Sequence, residues 1–215
     1  MIALLRYALL KGFRERSLLP ILFGQSVMIG ASLLGTRTLA ILKGRAAYPL
    51  YAGSVAQQVT EIAYVAAALA ALTAGVAAFT LFRAEIENHS IGFFVLAARP
   101  MTIAAATTLC GALIGIGSFA AAIAVTALLT LNITVQLGVI GCLTIALCLF
   151  GGALAVFLGA FSADFGMLIP FGVVSTTASI VLLNARTATM SAAALVISVI
   201  LMAASSPLLE RRCAG

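Results

Sequence analysis

The sequence predicts an all-α polytopic membrane protein with about six transmembrane helices, and three observations carry that prediction. Of 215 residues, 63% are hydrophobic and 8% charged, against roughly 45–50% and about 25% in soluble domains. Mean hydropathy is +1.22, which excludes a disordered chain, because disorder needs low hydrophobicity and high charge. The few charges, finally, are spaced so that they leave apolar runs of membrane-crossing length.

A bilayer core of about 30 Å takes about 20 helical residues. The uncharged runs are 17–36, 62–82, 100–163, 165–185 and 187–209. Four hold one crossing each, and 100–163 holds two, with Leu131-Asn132-Ile133-Thr134 as its best internal break. The expected spans are therefore 17–36, 61–82, 100–130, 135–160, 165–184 and 188–207, in one transmembrane domain over 1–215. Five spans is the alternative, if the first or last run fails to cross. Lipid offers no partners to open backbone groups, so the spans must be helices or a closed barrel. Barrel strands alternate apolar with polar, and runs such as 63–78 and 104–131 do not.

Residues 1–16 precede the first span. Ile2, Leu4, Leu5, Ala8, Leu9 and Phe13 are interspersed with Arg6, Lys11, Arg14 and Arg16, a pattern suited to an amphipathic helix in the membrane interface. The four cations would reach lipid headgroups as interfacial anchors. A signal peptide also begins basic and continues apolar. Here the basic region is too long for one, and the apolar run behind it is a full-length span.

Orientation follows from Lys and Arg near the span ends. With both termini cytoplasmic, Arg6, Lys11, Arg14, Arg16, Arg83, Arg99, Arg211 and Arg212 lie inside, against Arg37, Lys43, Arg45 and Arg186 outside. The pI of about 9.6 reads as this bias. Nucleic-acid binding is not expected, since no basic stripe is interleaved with aromatics. Segment 36–60, with Tyr48, Pro49, Tyr51, Gln57 and Gln58, reads as an anchored interfacial loop or, alternatively, a substrate gate.

Catalytic and metal constellations are missing. His89 is the single histidine and sits among Glu85, Glu87, Asn88 and Ser90, a solvated patch. None of Cys110, Cys142, Cys148 and Cys213 forms a C-x-x-C pair, so zinc and redox roles are not expected. Lys11 and Lys43 are each followed by Gly, which excludes a P-loop. No charged residue falls in the middle of a predicted span, which argues against a proton- or sodium-coupled transporter.

Small residues recur at helical spacing. Gly111 and Gly115 form a GxxxG, a pattern that lets helix backbones approach either within the subunit or at a dimer seam or pathway. Pro170 with Gly172, followed by Ser175, Thr176 and Thr177, is a candidate hinge or pathway wall, or a packing kink.

The passage between the second and third spans carries a more specific pattern. Glu87-Asn88-His89-Ser90-Ile91-Gly92 is followed by the apolar residues 93–98 and then Arg99-Pro100-Met101-Thr102. This resembles the loop of ABC-2 type transporter permeases, in which an acid, a glycine and an apolar stretch precede a proline. The basic N-terminal helix and six-span plan extend the resemblance over most of the chain, and in size it is similar to CcmB-like haem-exporter permeases. It differs in its Ile91-Gly92 order, in lacking a cation within 103–110, and in a short connection over 184–190.

The resemblance implies that 85–97 is a cytoplasmic coupling helix docking into an ATPase subunit. Phe93, Phe94 and Leu96, with Ile91 and Gly92, would be seated in its groove, and Glu85, Glu87, Arg99 and Pro100 would form the rim. It also implies a second permease copy or paralogue, accessory subunits in some systems, and a bacterial-type cytoplasmic membrane. ATP and Mg would be held by the partner, with no cofactor or catalysis in this chain. The uncharged interior suits export of an amphipathic or hydrophobic cargo. A substrate-binding subunit of a small-molecule uptake system, or a non-transport membrane scaffold, are the competing readings.

Overall fold

The computed structural model describes residues 2, 6, 7, 10, 55–87, 99–130, 137–162, 164–185 and 188–214. The described residues are helical and contain no strand. They form α1 (Val55–Glu87), α2 (Pro100–Thr130), α3 (Leu137–Phe161), a 3-10 turn (Phe165–Met167), α4 (Leu168–Ala185) and α5 (Ala188–Ala214). Residues 2, 6, 7 and 10 are also helical, with exposed side chains, Arg6 among them. Lys11, Arg14, Arg16, the expected first span 17–36 and residues 36–54 lie outside the described residues, whereas Gln57 and Gln58, expected in the 36–60 connection, fall in the first turn of α1.

Four of the helices carry stretches long and apolar enough to cross a membrane: Ala63–Glu87, Pro100–Ala124, Ile140–Phe161 and Ser191–Arg211. These correspond to the expected second, third, fourth and sixth spans. The break expected at 131–134 falls between the end of α2 at Thr130 and the start of α3 at Leu137. The expected fifth span is the shorter α4, whose apolar stretch is Leu168–Val181. α1 exceeds its expected span at both ends. Its 33 residues reach about 50 Å, longer than a hydrocarbon core.

α1 is the central element because one broad face of it is alanine. Ala63, Ala67, Ala70, Ala71, Ala74 and Ala78 are all buried and recur at the three- and four-residue spacing that lines one helix face. Alanine is the best helix former and adds almost no width. Glycines on the neighbouring helices meet this face. A β-carbon at Gly115 would lie 2.6 Å from the Ala70 carbonyl oxygen, and one at Gly151 2.5 Å from that of Ala71. Gly111 meets Ala74 and Ala78. Higher numbers on α2 thus face lower numbers on α1, so the two run antiparallel. Gly159 of α3 meets Phe79 and Phe82, so α3 returns parallel to α1.

α4 and α5 pack outside this trio. α4 contacts α1 and α3, while α5 contacts α3 and α2 and only sparsely touches α4. In the apolar stretch of α3, 72% of residues are buried, against 22% in α5. The last helix continues past its expected end at 207, with Pro207 inside it. Proline removes one backbone donor there, and the helix persists because Leu209 beyond it is buried against the core.

Most buried hydroxyls are satisfied by their own helix, as apolar surroundings require. Thr107 donates to the Ile103 carbonyl at 3.0 Å, Thr144 to Ile140 at 2.7 Å and Ser198 to Ala194 at 2.6 Å.

The close approach predicts a position-specific response to added methyl groups. Gly115→Ala and Gly151→Ala should each destabilise the detergent-solubilised protein by about 1–3 kcal/mol, as overpacking does. Gly117→Ala, with nothing within 4 Å of its β-carbon, should leave stability unchanged or raise it by up to about 1 kcal/mol. Thermal and denaturant midpoints of the three variants measure the contrast.

Candidate functional site: the charged end of the bundle

The up-and-down course of the helices brings the charges together. α1 ends at Glu87, α2 begins at Pro100 and α3 ends at Phe161, all at one end of the bundle. The 3-10 turn and α4 start from that same end. A two-residue connection links α4 to α5, whose 27 residues run about 40 Å back. Arg83, Glu85, Glu87, Arg99, Asp164, Glu210 and Arg211 therefore share this end. At the opposite end the described residues contribute only Glu61, in the second turn of α1.

The local chemistry of the end is well defined. The Arg83 guanidinium pairs with the Glu87 carboxylate at 2.6 Å, one helical turn apart. Glu85 and Glu87 stand in the last described turn of α1, and the rest of the expected coupling helix over 85–97 lies outside the described residues. The good helix formers Arg83, Ala84, Glu85 and Glu87, together with this ion pair, explain why α1 continues so far. Across the gap, Arg99 is exposed and its carbonyl accepts from the amides of Thr102 at 2.8 Å and Ile103 at 3.3 Å. Arg99 thus stands at the N-cap of α2, with Pro100 at the first helical position, where a missing amide donor is harmless. Ile91, Gly92, Phe93, Phe94 and Leu96 lie outside the described residues.

The third corner is the turn into α4. Ser162 hydroxyl and Asp164 carboxylate are 2.9 Å apart, and the Asp164 amide donates back to the Ser162 hydroxyl at 3.3 Å. The Met167 amide then closes the 3-10 turn on the Asp164 carbonyl at 3.0 Å. Among the described residues no group of three or more His, Cys, Asp or Glu side chains could hold a metal ion.

The other residues singled out by sequence lie inside the bundle. Gly111 and Gly115 face α1 of the same chain, so this motif packs the subunit internally. Pro170 is exposed and falls in the first turn of α4, where amides have no intrahelical acceptor. It opens the helix rather than kinking it. Ser175 is fully buried without a hydrogen-bond partner, as is Ser179 one turn on, whereas Thr176 is exposed.

Sequence reading missed Phe171. It is buried at 1% exposure, and its ring occupies the notch above Gly75 of α1. An aromatic between Pro170 and Gly172 at the start of a span was the available signal. Comparison with protein-family models, curated proteins and solved structures finds no match.

Two predictions follow from these contacts. Phe171→Ala should lower stability by about 3–5 kcal/mol, the usual cost of emptying a buried aromatic site. Ile169→Ala, 73% exposed, should change it by less than about 0.5 kcal/mol. Denaturant titration of both variants in one detergent gives the comparison. The Arg83–Glu87 pair is half open to its surroundings, with Glu87 55% exposed, and such pairs contribute about 0–1 kcal/mol. Glu87→Gln should therefore leave the unfolding midpoint within about 0.5 kcal/mol of wild type, and the residual contribution should shrink with added salt.

Proposed function

We propose that this chain is the membrane-spanning permease subunit of an ABC transporter of the ABC-2 exporter type. Transport would be vectorial, driven by ATP hydrolysed on a separate subunit. The observation that best supports this reading is the meeting of both flanks of segment 88–98, Glu85 and Glu87 on one side and Arg99 and Pro100 on the other, at the end of the bundle where most of the described charges gather. A docking segment has to emerge where a water-soluble motor can reach it. It also needs charged rim groups around apolar anchors, and the residues between those flanks include Ile91, Phe93, Phe94 and Leu96.

In this reading the charged end is cytoplasmic, in keeping with the excess of Lys and Arg expected there. The membrane is of the bacterial cytoplasmic type. The chain supplies one half of a translocation unit, and a second copy or a paralogue supplies the other. An amphipathic or hydrophobic cargo agrees with the confinement of charged residues to the ends of the described spans. ATP and Mg belong to the partner subunit, and this chain makes and breaks no bond.

Purification from its source cells in mild detergent, probed for an ABC ATPase subunit, tests the reading. Wild type should co-elute with the ATPase, and Phe93→Asp or Phe94→Asp should abolish co-elution while leaving the permease folded. Co-elution unaffected by both substitutions, or labelling of a Phe93→Cys variant from the outer side of sealed cells, would reject it.

A further inference from the structure

We infer that α4 is a latched helix: Phe171 holds it against α1 and α3, and it is released as a unit when the notch that seats this ring narrows. The inward ridge of α4 is narrow. Phe171, Ser175 and Ser179 follow one another at four-residue spacing along one helix face and are buried, whereas Val173, Val174, Ile180 and Val181 beside them are exposed.

The latch is built by two helices. The Phe171 ring fills the space above Gly75 of α1, and the Gly151 carbonyl oxygen of α3 lies 3.0 Å from where a β-carbon on Gly75 would stand. A shift of α1 against α3 therefore changes the width of the notch, and close packing leaves the ring no room to absorb it.

The two serines oppose the latch. The Ser175 and Ser179 hydroxyls have no hydrogen-bond partner, and both residues are sealed, at 0% and 2% exposure, so no water reaches them. Buried hydroxyls elsewhere take a carbonyl of their own helix, Thr144 at 2.7 Å and Ser198 at 2.6 Å. On the outer side of α4 itself, Thr177 does the same at 2.8 Å. Docking thus leaves two donors unpaired that displacement of α4 frees to pair with their own helix. The ends of α4 allow that displacement. It is entered through the 3-10 turn of Phe165–Met167, where Gly166 has nothing within 4 Å of its β-carbon position, and left through a two-residue connection.

Carbene footprinting of the full chain in phospholipid vesicles tests this. A lipid-soluble diazirine inserts into side chains that face hydrocarbon, and mass spectrometry locates the label. In wild type, Phe171, Ser175 and Ser179 should stay unlabelled while Val173 and Ile180 react. Gly75→Ala narrows the notch by one methyl and should raise all three to the level of Val173. Leu147 of α3 and Cys110 of α2, both buried, should remain protected. Phe171→Leu weakens the latch without touching α1 and should label Ser175 and Ser179 in part. Adding Ser175→Ala and Ser179→Ala to it should restore protection at both positions, since each unpaired hydroxyl removed favours docking about fivefold or more. The proposal fails if Gly75→Ala leaves Ser175 and Ser179 protected, because the ring then repacks with α4 in place. It fails if labelling spreads to Leu147 and Cys110 in both variants, because the whole bundle then loosens. It fails also if the serine substitutions do not reverse the effect of Phe171→Leu. None of these outcomes depends on ATPase binding.

Discussion

Helices already in a bilayer gain little by exchanging lipid contacts for apolar side chains, so their association depends on how closely backbones can approach. In this protein that approach occurs along the alanine face of α1. Gly115 and Gly151 lie almost on the carbonyls of Ala70 and Ala71, from the α2 and α3 sides respectively. Contact at this range gathers many weak dispersion terms that bulkier side chains would hold apart. α1, α2 and α3 therefore form one closely packed unit, and the other elements are positioned against it.

The outer pair is held differently. α4 is fastened by a single large side chain, Phe171, seated over Gly75, while its buried Ser175 and Ser179 bring hydroxyls that find no partner. Unpaired buried hydroxyls each cost about 1–3 kcal/mol, so part of what Phe171 contributes is offset a turn further along. α5 keeps a narrow strip of contact through Ala194, Ser198, Ser205 and Leu209 and presents the rest outward. In water such a surface would be a liability. In lipid it carries no penalty, which is why two helices with so little mutual contact can be stable neighbours.

This difference explains which features could be read from the chain. Charge spacing carried the membrane class and the approximate course of the long apolar helices, because a charge in hydrocarbon is costly at every position. The reversal of direction between α2 and α3 was legible for a similar reason: Asn132 and Thr134 interrupt a run otherwise long enough for two crossings. The partner of each small residue was not legible. Alanine and glycine are so frequent that Gly111 and Gly115 look alike whether they meet α1 of the same chain or another subunit. Prolines were ambiguous too: Pro170 opens α4 instead of bending it, and Pro207 is absorbed by α5, outcomes set by position relative to a helix end that sequence locates only within a turn or so.

The distribution of charge also limits how the molecule can meet others. Its described flanks are uncharged along α4 and most of α5, so contacts there are confined to lipid or to other membrane helices. A water-soluble partner needs polar groups to orient it and apolar anchors to hold it. Among the described residues polar groups of that kind gather only where α1 ends, α2 begins and α5 finishes. Arg83, Glu87 and Arg99 are carried by helices whose backbones are fixed in the core, so movement of α1 against α2 would change their separation directly. A partner engaging both flanks would therefore act on a closely packed seam, and it could shift that seam only by moving helices as rigid bodies, since the glycine contacts leave no slack for side chains to absorb the displacement.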